Sequence, residues 1–596
     1  MTRQEQHVED TWRMEDIYAT EEAYQADAGK LQKLLDAFAK CRGTLAQGPE
    51  QFLKAFQLYE EIGRTYERLH VYANQHYHED TANAKYQKMV GEMQIVETKL
   101  GQTVSWLEPE LLALPEKTLD GFFASGNEEL NGYRREVEQI TRKRAHILDA
   151  QAEAFLAKAG ELGQAPSNIY SMFNNADIRF PQVEDGEGKK RDLTTGSYIP
   201  YLESRDRVLR RHAFEALYSV YGQFINTLSS LYYANAKQED FFAKERHYPN
   251  AMEAALDASA IPVEVYKNLI AAIHEALPLM HRYVRLRKKL LGVSELHMYD
   301  VYVPMVEQTE KTYSFEEAKA IVKQGLAPLG EEYLAILQEG FDGRWIDVYE
   351  NTGKRTGAYS WGPYGVHPYV LLNYHGSLDN VFTLAHEMGH ALHSWHSDHA
   401  QPFRYAGYRI FVAEVASTCN EALLIHDLMN RSSDPEEKKY LINHFLDKFK
   451  GTMFRQTMFA EFEMITHGIV EQGGMLTAEQ LCEIYLDLNR RYFGEDMICD
   501  PEIAYEWARI PHFYTPFYVY QYATGFAAAI AISSKILAGE PEIVEKYRKF
   551  LSGGNSMDPI DLLKLCDVDM SSPEPVKEAL AVFGEYLEKL EEMTKG

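Results

Sequence analysis

The stretch Ser377-LDNVFTLAHEMGHALHSWH-Ser397 decides how this chain is read. Residues four apart share one face of a helix, so His386 and His390 of His386-Glu387-Met388-Gly389-His390 project together and can hold one metal ion. Glu387, one position round from His386, can reach a water beside that ion. Two imidazoles, a carboxylate base and an open coordination position are what metal-assisted peptide hydrolysis needs. The flanks favour a helix: Val381, Phe382, Leu384, Ala385 and Leu392 supply apolar faces, and Ser377 or Asp379 can cap its start. With 21 histidines in 596 residues the five-residue pattern is not decisive alone, so its surroundings must carry the argument.

A third ligand is required. His393 lies seven residues after His386, roughly 10 Å along a straight helix, too far for three bonds of about 2 Å to one ion. His393 therefore reads as a neighbour of the site rather than a ligand. Glu414 is the better candidate. It lies in Tyr408-RIFVAEVASTCNEALL-Ile425, a predicted helix whose Phe411, Val412, Val415, Cys419, Leu423 and Leu424 are apolar. A carboxylate among such neighbours is rare unless paired or bound to metal. Glu421, on the same face, is either an ordinary surface acid or a hydrogen-bond acceptor for a ligand imidazole. Upstream, Tyr369-VLLN-Tyr374 reads as a short strand, an edge along which an extended peptide could pair.

Twenty-three residues separate His390 from Glu414. Thermolysin-like and aminopeptidase-like enzymes place their glutamate nearer, at positions held here by Arg409 or Ile410. The chain resembles the oligoendopeptidase F branch of the thimet oligopeptidase family. The resembling blocks are Asp10-TWRMEDIY-Ala19, Thr352-GKRTGAYSWG-Pro363, Leu372-NYHGSLDNVFTLAHEMGHALHS-Trp395, Phe411-VAEVASTCNEALL-Ile425 and Pro511-HFYTPFYVYQYATG-Phe526. Angiotensin-converting enzyme shares H-E-M-G-H and the glutamate spacing but is a secreted, membrane-anchored dipeptidase. The residues read as a mainly α fold with a small antiparallel sheet near the metal site, and the resemblance implies two helical lobes either side of a deep substrate channel.

It also implies one zinc ion on His386, His390 and Glu414, whose bound water gives its proton to Glu387 and attacks a peptide carbonyl. Aligned on Pro516, the family's transition-state tyrosine falls on Tyr520 and its histidine on His512, donors for the oxyanion. A second family tyrosine matches Phe517, which has no hydroxyl; Tyr514 or Tyr518 would stand in. Gly357 and Tyr359 would align the substrate backbone. The expected activity is internal cleavage of short peptides. The competing readings are a dipeptidyl carboxypeptidase of the same architecture and a non-catalytic peptide-binding protein.

Composition limits the other classes. The hydrophobic content of 45 % is ordinary for a globular chain, and a formal charge of −28 argues against nucleic acid or an anionic membrane as partner. Five scattered cysteines without a C-x-x-C pair suggest reduced thiols and a cytoplasmic setting. The first residues, MTRQEQHVEDTW, carry no secretory signal, and the most apolar run, Gly525-FAAAIAI-Ser533, is too short to span a bilayer.

Along the chain, helix-favouring composition dominates. Residues 1–115 read as an N-terminal helical region that includes Glu50-QFLKAFQLYEEIGRTYERLHVYANQ-His76. Residues 116–200 read as an N-terminal-type domain of the same family. It continues helically through Tyr133-RREVEQITRKRAHILDAQAEAFLAK-Ala159 and ends in Asp177-IRFPQVEDGEGKKRDL-Thr194, a β-hairpin by its Asp-Gly-Glu-Gly core. Residues 201–596 read as the catalytic unit. Near its end, Thr515-Pro516 predicts an N-cap and first helical position, with the helix stopping near Gly539.

Overall fold

Apolar stripes at helical spacing run through most of the sequence, and the chain is accordingly 71 % helical, with only small sheets. The computed structural model describes residues 2–307 and 311–595. The chain divides into two compact units. The first comprises Met1–Ala145, Lys311–Leu424 and Lys535–Asp558; the second comprises His146–Glu310, Ile425–Ser534 and Pro559–Gly596.

In the first unit, helices Glu21–Ala39, Pro49–Glu79 and Ala84–Val104 pack side by side. Pro49 opens the longest of them at a position where its missing N–H costs nothing. Their inward faces bury Phe38, Phe52, Phe56 and Leu69 together with Trp12, Tyr133, Tyr369 and Leu371. The last two come from a three-stranded sheet of order Ile346–Asp347, Tyr369–Leu371, Tyr359–Trp361.

That sheet corrects two expectations. It is mixed: Ile346–Asp347 runs parallel to the central strand and Tyr359–Trp361 antiparallel to it. The strand at Tyr369 is therefore no edge. The Val370 and Leu372 amides donate to Trp345 and Asp347 at 2.7 and 2.8 Å, and the other side is taken by Tyr359–Trp361. The outer strand is Tyr359–Trp361, and the register turns the Ser360 backbone amide and carbonyl away from the sheet. The amino-terminal segment straps the opposite strand. Arg3 pairs with the buried Asp347 and Glu79, Val348 N–H donates to the Asp10 carbonyl, and Trp12 Nε1 donates to Val370 O at 2.8 Å.

The second unit packs Ile225–Glu245, Val263–Leu290, Arg455–Glu471 and Ala478–Phe493 around Tyr232, Tyr266, Phe462, Tyr485, Trp507 and Phe513. Its buried Glu506 is neutralised by Arg455 and Arg509 at 2.8 and 2.7 Å. The hairpin is present as Val183–Glu184 paired with Lys190–Arg191. Asp185 Oδ1 accepts the Glu187 and Lys189 amides inside its turn, and Gly188 supplies the positive φ.

Two helical expectations need correction. The stretch from Tyr133 to Ala159 is interrupted: Arg134–Thr141 passes into a 3-10 turn at Arg142–His146, and Ala150–Gly163 begins afresh. Asp149 causes the restart, its side chain accepting the Gln151 and Ala152 amides at 2.9 Å. Thr515-Pro516 does not open a helix either. Both lie in a turn that Phe517 completes with φ +56°, and the helix is Tyr520–Leu537. It stops where expected, with Gly539 at φ +68° and the Glu540 amide reaching back to Lys535 O.

Candidate active site

The helix Leu378–Ala400 starts at Ser377, whose hydroxyl accepts the Asn380 amide at 3.2 Å while Asn380 Oδ1 returns to the Ser377 amide. It carries His386, Glu387 and His390, and a second helix, Ile410–Arg431, carries Glu414 and Glu421. The two helices come unusually close at Gly389. A Cβ there would lie 2.5 Å from Ser417 Cα and 2.9 Å from Ala416 O. Asn420 then ties them, donating to Ala385 O at 3.1 Å and accepting from the Tyr333 hydroxyl at 3.0 Å.

This approach brings three donor atoms together. His386 Nε2 and His390 Nε2 are 3.2 Å apart, and Glu414 Oε2 lies 3.4 and 3.5 Å from them. A tetrahedral ion with bonds of about 2.0–2.1 Å spaces its ligand atoms about 3.3–3.4 Å apart, so the triangle fits such an ion. Among the described residues this is the group of histidines, cysteines and acids close enough to hold a metal. The glutamate is less enclosed than the sequence suggests: its side chain keeps 37 % of its exposure, the carboxylate standing at the rim of the triangle. Glu421 Oε1 meets His386 Nδ1 at 2.6 Å, which presents Nε2 to the triangle. His393 lies outside the group, fully buried and stacked on Tyr408 at 3.8 Å.

Charge follows from the same packing. Burial works against a proton on His386, but Glu414 and Glu421 outweigh it and push the imidazole up to about 10. Burial likewise opposes ionisation of Glu414, yet the two imidazoles hold it below the usual carboxylate range. Glu387, 6 % exposed, is raised first by burial; the imidazoles oppose that shift and Glu414 adds to it. Three carboxylates against two imidazoles make a site that attracts a cation.

The remaining candidates fall into two places. Tyr359 is on the outer strand, its hydroxyl engaged 2.7 Å from His78 Nδ1. Gly357 precedes it with φ +86°, its carbonyl accepting from Asn373 at 2.9 Å. His512, Tyr514, Tyr518 and Tyr520 belong to the second unit. Tyr520 is 2 % exposed and packs on Tyr266, ring centroids 5.0 Å apart. Tyr514 stacks on Tyr170 at 4.3 Å. The accessible His512 lies parallel to Tyr518 and accompanies Tyr522, whose hydroxyl is 3.4 Å from His512 Nε2. Sequence reasoning did not single out Tyr522. Had it started the helix at Tyr520, the two-residue spacing would have set Tyr520 and Tyr522 on different sides, leaving Tyr522 with Tyr518, ring centroids 5.5 Å apart.

A helical fold with two imidazoles and a carboxylate at this spacing, and a further acid beside one imidazole, defines a metallopeptidase of the H-E-x-x-H class. Residues 200–582 match Peptidase family M3 and residues 110–180 match Oligopeptidase F. The chain belongs to peptidase family M3, and within it to the oligoendopeptidase F group. It is 45 % identical to oligopeptidase PepF of Bacillus subtilis over 99 % of this chain and 88 % of that one. Group B oligopeptidase PepB of Streptococcus agalactiae is 39 % identical, over 100 % and 99 % of the two chains. The crystal structure of oligoendopeptidase-F from Enterococcus faecium superposes with a TM-score of 0.75 at 40 % identity, covering 96 % of this chain and 98 % of that one. Membership implies a divalent metal and peptide substrates. No helix among the described residues is long and apolar enough to cross a membrane.

Proposed function

We propose that this chain is a zinc-dependent endopeptidase that cuts internal bonds of short peptides. The observation that carries this reading is the triangle of His386, His390 and Glu414 with the buried Glu387 beside it. His386, His390 and Glu414 would hold the ion, and two neutral imidazoles with one carboxylate are a donor set suited to zinc. When bound, the ion supplies Lewis-acid chemistry, lowering the pKa of water and polarising a carbonyl.

The chain's own groups do the rest. Glu421 holds His386 in the tautomer that presents Nε2. Glu387 takes the proton from the attacking water and passes it to the leaving amine, its raised pKa suiting a group that must both accept and release. Tyr520 and His512 are assigned as donors to the oxyanion, with Tyr522 joined to His512 by position and Tyr514 and Tyr518 beside them. Ser360, between Gly357 and Trp361, offers an amide and a carbonyl to an extended peptide. The names of the relatives support short peptides as substrates, and sparse, scattered cysteines support a cytoplasmic setting.

The test is an internally quenched peptide of about ten residues with both ends blocked. Chelator-sensitive internal cleavage restored by zinc is expected. Cleavage only when the carboxy terminus is free would show a carboxypeptidase, and zinc binding without any cleavage would refute the enzyme reading.

A further inference from the structure

Among the described residues of the second unit, Phe517 shares a positive φ with His247, Ala260 and Asp567, and it is the bulkiest of them. Its φ of +56° belongs to the left-handed region, where a bulky aromatic residue stays only if its surroundings over-determine it. The helix Arg455–Glu471 supplies that constraint from one face. Glu463 Oε1 accepts the Phe517 amide at 3.0 Å, and His467, one turn on, packs its ring against the Phe517 ring at 4.7 Å. Tyr266 closes the other side, 5.8 Å from Phe517 and 5.0 Å from Tyr520, with its own hydroxyl fixed on Ala460 O at 2.7 Å.

Glu463 is a costly choice for this place. It is 0 % exposed, its Oε2 has no partner among the described residues, and burial lifts its pKa well above the usual carboxylate range against the opposing pull of the Phe517 amide. An acid kept uncharged in a core is a poor packing element. The one hydrogen bond of its carboxyl group among the described residues goes to the amide that would otherwise be orphaned by the turn. That bond sets where the turn ends and where the next helix begins, and so which way Tyr518, Tyr520 and Tyr522 point relative to His512.

We propose that Glu463 is a positioning residue for the reaction: by gripping the Phe517 amide it holds the 515–519 turn in its left-handed form and orients the His512–Tyr522 segment. The assignment rests on the reading that this segment donates hydrogen bonds to substrate. Glu463 itself touches no reacting atom.

The test uses the full-length, metal-loaded enzyme and separates kcat from KM. Glu463→Leu fills the space without an acceptor and is expected to lower kcat by about tenfold to a hundredfold, with KM changed less than about threefold and metal content unchanged. Glu463→Gln keeps an acceptor oxygen and should retain at least about half of wild-type kcat. Adding Phe517→Gly to Glu463→Leu should recover about fivefold or more, because glycine takes positive φ without a grip. A folded Leu variant with wild-type kcat, or a double variant no better than the single one, overturns the proposal.

If the Leu variant does not fold, amide hydrogen exchange on the wild type decides. Slow exchange at Phe517 supports the grip, and exchange as fast as an exposed turn overturns it. Should His512→Ala, Tyr520→Phe and Tyr522→Phe all leave kcat unchanged, the donor reading of the segment fails, while the exchange measurement still judges Glu463 separately.

Discussion

Replacing Gly389 with alanine should loosen the metal site without touching a ligand. The added Cβ would sit 2.5 Å from Ser417 Cα, 2.8 Å from Ser417 N and 2.9 Å from Ala416 O, all backbone atoms that cannot rotate away. Restoring ordinary contact requires the two helices to part by about 1 Å, an overpacking that costs about 1–3 kcal/mol. Glu414 sits one turn before Ser417 on the displaced helix. Its Oε2 would move from 3.4 and 3.5 Å to about 4.5 Å from the imidazole nitrogens, beyond the spacing a tetrahedral ion spans. Binding zinc would then pull the helices back against that strain. At about 1.4 kcal/mol per tenfold, affinity should fall about fivefold to 140-fold. Competition against a chromophoric chelator measures it, with circular dichroism checking that the apo variant is folded. A folded Gly389→Ala protein binding zinc within twofold of wild type would refute the claim that this contact sets the Glu414 distance.

Glu387→Gln should keep full zinc occupancy yet lose about 10²–10⁴-fold in kcat, checked by metal analysis and peptide cleavage; near-normal turnover would remove Glu387 as the base. Glu414→Ala should bind zinc substoichiometrically after dialysis, and full retention would hand the third position to another group. Glu421→Ala, which leaves His386 Nδ1 without its acceptor, should weaken zinc by about 10- to 100-fold in the same competition assay. Stability should carry a pH signature from Asp398, which burial and the neighbouring Glu67 push up to about 7. The folded chain then keeps a proton that the unfolded chain loses near pH 3.9, so native stability declines as pH rises from about 4 to 7. Melting curves should show Asp398→Asn gaining on wild type between pH 5 and 8; a constant difference across that range would contradict the assignment.

The parts of this protein visible in its sequence are those whose cause is local. His386 and His390 share a face because the helical period says so, and Ser377 caps that helix through an oxygen three residues from the amide it accepts. The Asp185–Gly188 turn is equally self-contained. What escaped notice depends on partners distant in sequence. Tyr369–Leu371 became a central strand because Ile346–Asp347, only two residues long, lies along its other side, and two residues show no alternation. Thr515-Pro516 has the composition of a helix start, but Glu463, more than fifty positions earlier, captures the Phe517 amide and delays the helix to Tyr520. Glu414 was legible as an acid in an apolar helix. Its distance to the imidazoles was not, since that depends on Gly389 lying under Ser417.

The division of the chain into interleaved stretches also constrains its biosynthesis. The unit that bears the H-E-x-x-H helix needs residues from Met1–Ala145, Lys311–Leu424 and Lys535–Asp558. At about 5–20 residues per second, a ribosome takes about 20–80 s to travel from the end of the first stretch to the end of the last. For about 10–45 s of that time, until Asp347 and Val370 have been made, Arg3 and Trp12 lack their partners and the apolar faces around Phe52 and Phe56 lack the cover of Tyr369 and Leu371. The unit that bears the H-E-x-x-H helix is complete only once Lys535–Asp558 has been added, late in synthesis.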